Sequence, residues 1–321
     1  MRTAGQKQRK TTFIVVDESN SVQWPSQVLS MSLKHKTLFI TGASRGIGLA
    51  IAQRAAREGA NVVIAAKSGE PHPTLPGTIY ETARLVEAAG GAALPLLLDV
   101  RDEASVVAAV EKAASRFGVI DICINNAGAF WMQASPDTTA KRHDLLMDIN
   151  ERGTFLVTKA CHPHLCRAEN PHILNISPPL DLRPVWFQHT SVYSVSKYAM
   201  SLYALGWAAE FAEAGIAVNT LWPRVGVETP AALVHGGNEL RGEFRKPSIM
   251  AEAACRIVSK NSREFTGNFC IDDTFLYGEG ERDFDQYSVV PGAALVPDYF
   301  IPADSVPPPG VKLSKFRLYD I

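Results

Sequence analysis

"TGASRGIGLAIAQRAA", residues 41–56, leaves an apolar run, turns through three glycines and continues as a helix-forming sequence. Gly42, Gly46 and Gly48 have no Cβ, so a turn built on them reaches tight φ/ψ values and lets a pyrophosphate approach the backbone closely. A helix beginning near Ile47 points its free N–H groups at that phosphate, with Ser44 and Arg45 in the same turn. Ala50, Ala52, Ala55 and Ala56 allow the helix to lie close to a sheet. Three glycines alone also suit an ordinary loop. Their place between a strand and a helix is what points to a nucleotide.

Outward from this turn, apolar β-rich runs alternate with longer helical ones. The strand-like runs are 37–41, 61–66, 93–99, 121–125, 172–177, 216–222 and 268–272. Helical patterns fall near 47–58, 79–89, 103–117, 137–166, 191–214 and 248–259. Strands apolar along their whole length suit a parallel sheet covered on both faces. Strict β–α alternation then requires right-handed crossovers. The fold class is α/β: a single Rossmann-type doubly wound parallel sheet of about seven strands with helices on both faces. The expected division is a flexible N-terminal extension over 1–33, a dinucleotide-binding catalytic domain over 34–280, and a proline-rich tail over 281–321. That tail is read as wrapping the surface or partly disordered.

Composition narrows the function. The chain has 321 residues, and a net charge of -1 gives no electrostatic case for nucleic acid or for a polybasic hold on membranes. No window reaches the ~20 apolar residues of a membrane span. Cys123, Cys161, Cys166, Cys255 and Cys270 are an odd, scattered set, which fits free thiols in a reducing, intracellular compartment, with the cytoplasm the first expectation. "CHPHLC", residues 161–166, carries ligand-type side chains but lacks a Cys-x-x-Cys knuckle and a second cluster. No metal site is expected.

Two further places carry chemistry. The second strand ends in "AAKSGE", with Lys67 where an NAD site carries an acid for the ribose 2′-hydroxyl. Lys67 and Arg45 suit a 2′-phosphate, so NADP is favoured over NAD, unless both are simply solvated charges. Asp99 is placed either to accept from an adenine amino group or to cap the following helix. In "VYSVSKYAM", residues 192–200, Tyr193 and Lys197 stand four apart, on one face if the run is helical. Free tyrosine titrates near pH ~10, so acting near neutrality demands a shift of about three units, or ~4 kcal/mol. A positive charge some 4–5 Å away supplies roughly 3–4 kcal/mol at an effective dielectric of about 20.

"TGASRGIG" (41–48), "LLLDV" (96–100), "NNAG" (125–128), Asn150 in "DINERGTF" and "YSVSK" (193–197) together resemble the short-chain dehydrogenase/reductase family, in its order and rough spacing over about residues 36–275. Within it, "IAAKSGEPHP", "NISPPLDLRPVWF" and "TGNFCIDD" are most similar to the hydroxysteroid dehydrogenase-like protein 2 subgroup, some members of which carry a sterol-carrier domain for which this chain is too short. The resemblance implies that Tyr193 is the general acid/base and that Lys197 holds the ribose and depresses the tyrosine pKa. It also implies that Asn150 anchors a water linking Lys197 to solvent, that Asn125 sits beside the cofactor, and that the protein is a homo-oligomer.

The sequence departs from that pattern at the family's catalytic serine. Ser177 is the only hydroxyl in "NISPPL", Pro178 falls on the usual position, and Ser177 precedes Tyr193 by sixteen residues, a wider gap than is usual. Either Ser177 is re-aimed, or Thr190 or Ser191 substitutes, or the oxyanion-type donor is weakened by about 2–4 kcal/mol. In "WPRVGVET", Arg224 stands where glycine is common and one extra residue precedes Thr229, while "IDDT" replaces a glycine pair after the last strand. Phe130, Trp131, Pro178, Pro179, Leu180, Trp186, Phe187 and Trp222 either line an apolar mouth or pack the loops themselves. The expected function is an NADP-dependent oxidoreductase acting on a small apolar carbonyl or alcohol. The alternative is a catalytically weak dinucleotide-binding sensor or scaffold of the same fold.

Overall fold

The computed structural model describes residues 32–234, 238–302 and 304–315. All but the last two residues of the expected extension over 1–33 lie outside these. Seven strands form one sheet: β1 (Thr37–Thr41), β2 (Asn61–Ala66), β3 (Ala92–Leu97), β4 (Ile122–Asn125), β5 (His172–Asn175), β6 (Ala217–Trp222) and β7 (Phe269–Ile271). Their order is β3-β2-β1-β4-β5-β6-β7 and every pairing is parallel. The chain reverses its winding between β1 and β4, which opens the crevice where such sheets bind ligands. β3 is an edge strand, and this is why it tolerates Pro95 and is only half-buried while β1 is buried throughout.

Helices α1 (Gly46–Ala56), α2 (Ile79–Ala88), α3 (Glu103–Phe117), α4 (Ala140–Leu146), α5 (Gly153–Leu165), α6 (Ser191–Glu210), α7 (Pro230–Ala232), α8 (Ser248–Val258) and α9 (Asp272–Gly278) cover the sheet. One apolar layer packs α1, α2 and α8 on one face, and a second packs α3, α5 and α6 on the other. Local signals set the helix starts. Thr78 and Glu81 form a reciprocal capping box on α2. Asp102 caps α3, accepting from the backbone of Ala104 and Ser105. Asp99 therefore does not cap that helix; its carboxylate takes the Arg101 guanidinium instead, at 2.5 and 2.9 Å.

Two regions differ from the sequence reading. The single helix expected over 137–166 is broken by a wide turn, Met147–Arg152, between α4 and α5. Asn150 lies inside that turn and spends its side chain on other segments, which fixes the irregularity. The proline-rich segment after residue 281 does more than wrap the surface. Leu295, Val296, Tyr299, Phe300 and Ile301 are buried, and the last three join Trp186, Tyr193, Tyr198 and Trp222 in an aromatic cluster at the carboxyl ends of the strands. Prolines excluded helix and strand there, but the apolar residues between them still found a core to enter.

Candidate active site

At the crevice between β1 and β4, Gly42 (φ +67°) and Gly46 (φ +58°) adopt left-handed backbone. A Cβ on Gly48 would stand 2.6 Å from Asn126 Nδ2 and 2.8 Å from the Gly42 carbonyl, so no side chain fits there. Asn126 ties the turn to the sheet, donating to the carbonyls of Thr41 (2.9 Å) and Gly42 (3.2 Å). No side chain caps α1, which leaves its first N–H groups free for an anion. The residues present thus fit a dinucleotide pyrophosphate.

The neighbouring expectations divide. Ser44 is buried in the turn and Ile47 lines the adjoining cavity. Arg45 is tied to the loop that follows β2, donating to the carbonyls of Pro76 (2.9 Å) and Gly77 (2.7 Å). Lys67 is exposed beside the same loop. Asn125 is buried and donates to Thr158 Oγ1 (3.0 Å) and Asn175 Oδ1 (2.9 Å), bracing β4 against α5 and β5. Its neighbour Asn126 is the one that lines the cavity. Sequence reasoning took the first asparagine of "NNAG". Strand alternation, which turns successive side chains to opposite faces, was the signal available to separate the two.

The cavity has a volume of about 540 Å³. Tyr193 and Lys197, one turn apart on α6, both line it and are each 6% exposed. Phe130 meets the Tyr193 ring edge-on at 5.1 Å, and Phe300 stacks on it at 6.0 Å. Phe300 holds a left-handed backbone (φ +71°), a conformation costly for a bulky residue, and is fully buried among Trp186, Tyr193, Tyr198, Trp222 and Tyr299. Lys197 Nζ donates to the Ile176 carbonyl at 2.6 Å and lies 5.2 Å from the Trp222 ring centroid. Burial pushes the Tyr193 phenol up and the Lys197 ammonium down to about 7. Burial outweighs any pull of the lysine on the phenol, so the depression that the resemblance implies is not found at this pair. Asn150 donates to the Ala129 carbonyl and to Ser196 Oγ, joining the β4 loop to α6 beside the pair.

A family model described as short chain dehydrogenase matches residues 36–233. The chain belongs to the short-chain dehydrogenase family. It is 53% identical over 265 residues to hydroxysteroid dehydrogenase-like protein 2 of Homo sapiens, covering 83% of this chain and 63% of that protein. The Xenopus tropicalis protein of the same name is 54% identical with the same coverage. The chain thus spans under two thirds of these relatives' length, and the resemblance to their subgroup is matched. Among solved structures, a short chain dehydrogenase from Mycobacterium thermoresistibile is 47% identical with a TM-score of 0.82, covering 88% of this chain and all of that one. One from Mycobacterium paratuberculosis, bound to NAD, is 29% identical with a TM-score of 0.64, covering 77% of this chain and all of that one.

Departures from the short-chain dehydrogenase pattern become one arrangement in space. Arg224 and Asp273 are both completely buried and pair at 2.7 Å, with Arg245 on the other carboxylate oxygen at 3.0 Å. Arg224 also donates to Ser305 Oγ (3.0 Å) and the Ser305 carbonyl (3.1 Å), and its own carbonyl accepts from the Asp298 backbone at 2.9 Å. The arginine after "WP" and the acids after β7 are therefore partners that bind the C-terminal segment over the cavity. Arg224 points away from the cavity, while Pro223, Gly226, Val227 and Thr229 of the same loop line it.

Ser177 is buried and its Oγ has no partner among the described residues; it does not line the cavity. Thr190 does, although its hydroxyl already donates to Tyr299 Oη at 2.9 Å. Ser191 is spent on the Phe187 carbonyl. Of the eight aromatic, proline and leucine residues expected around the mouth, Phe130 and Trp222 line the cavity. Trp186, Phe187 and Leu180 pack the aromatic cluster instead. Asp298 and Tyr299 also line the cavity and were missed, because the aromatic pair in "PDYF" was read as part of a surface tail.

Proposed function

We propose that the protein is an NADP-dependent oxidoreductase that interconverts an apolar ketone or aldehyde and its alcohol, with Tyr193 as proton donor and acceptor. The observation that carries this reading is the placement of Tyr193 and Lys197 on the wall of one cavity whose rim includes Ile47 and Asn126 of the glycine turn. Gly42, Ser44, Gly46, Ile47 and Gly48 would hold the pyrophosphate, Lys67 and Arg45 a 2′-phosphate, and Asp99 the adenine edge. Support for NADP is the exposed lysine at the end of β2.

A bound nicotinamide supplies or takes the hydride. In the reducing direction Tyr193 gives its proton to the substrate oxygen, so that the carbonyl becomes an alcohol and the tyrosine a phenolate. Lys197 steadies that phenolate and the cofactor ribose, and Asn150 would anchor the water that links Lys197 to solvent for reprotonation. Phe130, Met132, Leu240 and Phe244 give the chamber its apolar lining. The exposed apolar residues Phe155, Leu202 and Leu205 on α5 and α6 suit a contact with a second copy of the chain.

The test is NADPH oxidation with a panel of apolar ketones, comparing wild type with Tyr193→Phe. Saturable turnover should fall about 10²–10⁴-fold in the variant while NADPH still binds. NADPH binding with no turnover of any carbonyl by the wild type would favour the sensor or scaffold reading, which the enclosed Ser177 supports.

A further inference from the structure

We propose that Asp298, delivered to the cavity by the C-terminal segment, is a further catalytic residue that donates a hydrogen bond to the substrate oxygen beside Tyr193. This rests on the oxidoreductase reading above and supplies what the family's serine position does not. Pro178 has no proton to give, and Ser177 Oγ is closed off from the cavity. Thr190 and Ser191 already donate elsewhere. Asp298 lines the same cavity as Tyr193 and Lys197, and as a cavity-lining residue it keeps part of its surface accessible.

Its position is built rather than incidental. The segment around it pairs antiparallel with the loop after β6, through Val225 and Pro297, the Gly226 amide on the Val296 carbonyl, and the Asp298 amide on the Arg224 carbonyl. The buried Arg224–Asp273–Arg245 set fixes that loop. On the other side, Tyr299 and Phe300 are sunk into the aromatic cluster. The left-handed backbone at Phe300 is the strain accepted to turn the chain there.

Burial, more than the surrounding charge, keeps the carboxyl partly protonated. Among the described residues no cation lies within ion-pair distance of it, and the groups around it are the Lys197 ammonium and the Tyr299 backbone N–H, which favour the carboxylate, with the Tyr193 phenol, the Asp272 carboxyl and the His189 ring on the cavity wall. Burial, with Asp272 adding to it, pushes Asp298 up to about 7. A carboxyl of which about half is protonated at neutral pH can donate in that fraction, where an ordinary aspartate only accepts.

The experiment uses the full chain with NADPH and the ketone that gives the highest wild-type turnover. Asp298→Ala should lower kcat at least 30-fold, with NADPH affinity by fluorescence titration unchanged within about 2-fold. Asp298→Asn, isosteric and still an N–H donor, should retain kcat within about 5-fold and lose the fall in rate that the wild type shows as pH rises through about 7. Carbon NMR of the aspartate-labelled protein should show one carboxyl titrating near that value, missing from Asp298→Asn. An Asp298→Ala variant as active as an active wild type overturns this proposal alone, as does a loss of activity that follows Ser177→Ala instead. A wild type that binds NADPH and reduces none of the ketones overturns the parent reading and this one with it.

Discussion

Replacing Asp273 by asparagine keeps the shape of the side chain and removes its charge. In the structure that carboxylate is completely buried between two completely buried guanidinium groups, 2.7 Å from Arg224 and 3.0 Å from Arg245. Removing one partner from a buried ion pair costs about 3–5 kcal/mol, because the charge left behind has lost its water and gained nothing. Arg224 would retain Thr274, Ser305 and the Val306 carbonyl. Arg245 would retain the face of Phe284 and the charge of Asp272 but no side-chain hydrogen bond among the described residues, since its Nε and Nη2 have no partner there. Asp273→Asn should therefore lower Tm by roughly 6–10 °C for a chain of this size. Arg224→Met, which leaves the Asp273–Arg245 pair standing, should cost less but expose the amides of residues 296–306 to hydrogen exchange. Urea unfolding of both single variants and the double variant should return a coupling of at least about 1 kcal/mol. If Asp273→Asn melts within 2 °C of wild type, or the two effects simply add, the pairing is not what holds the C-terminal segment (the ~1 kcal/mol threshold being that expected of residues in contact).

Gly48→Ala would push a methyl group to 2.6 Å from Asn126 Nδ2, so NADPH affinity should fall at least about 10-fold by fluorescence titration; unchanged affinity would remove the turn from the cofactor site. Lys67→Asp should move the NADPH-to-NADH ratio of kcat/KM toward NADH by about 10-fold or more, as the cation is exchanged for an acceptor of the ribose hydroxyl, and an unmoved ratio would show that Lys67 is merely solvated. His172 is buried neutral, with burial holding its pKa at about 4 against the pull of the Lys260 carbonyl. The unfolded chain binds that proton near pH 6.5 and the folded one does not. Stability is then intact above about 6.5 and falls as pH drops toward about 4, by on the order of 3 kcal/mol. His172→Gln should flatten that limb of the urea-midpoint profile, and an unchanged slope would assign acid lability to other groups.

The sheet was legible because its strands are apolar end to end and bounded by turns, and all seven sit within two residues of the expected spans. The glycine turn was legible because backbone conformation alone demands those residues. The long helix over 137–166 was misread because Asn150 acts through contacts with Ala129 and Ser196, which no local period reveals. Arg224 and the acids after β7 were each visible as departures, yet their meaning lay in a contact across 49 residues of chain. The C-terminal segment was hardest. Its prolines describe what the backbone cannot do, whereas its burial depends on a cluster assembled from four other parts of the molecule.

The position of Phe300 also bears on how the molecule is made. A ribosome delivers the glycine turn about 250 residues before the wall behind Tyr193. A nascent chain can thus own the glycine turn well before it owns the enclosed cavity. Emergence of the segment around Phe300 is then the event that first encloses this tyrosine.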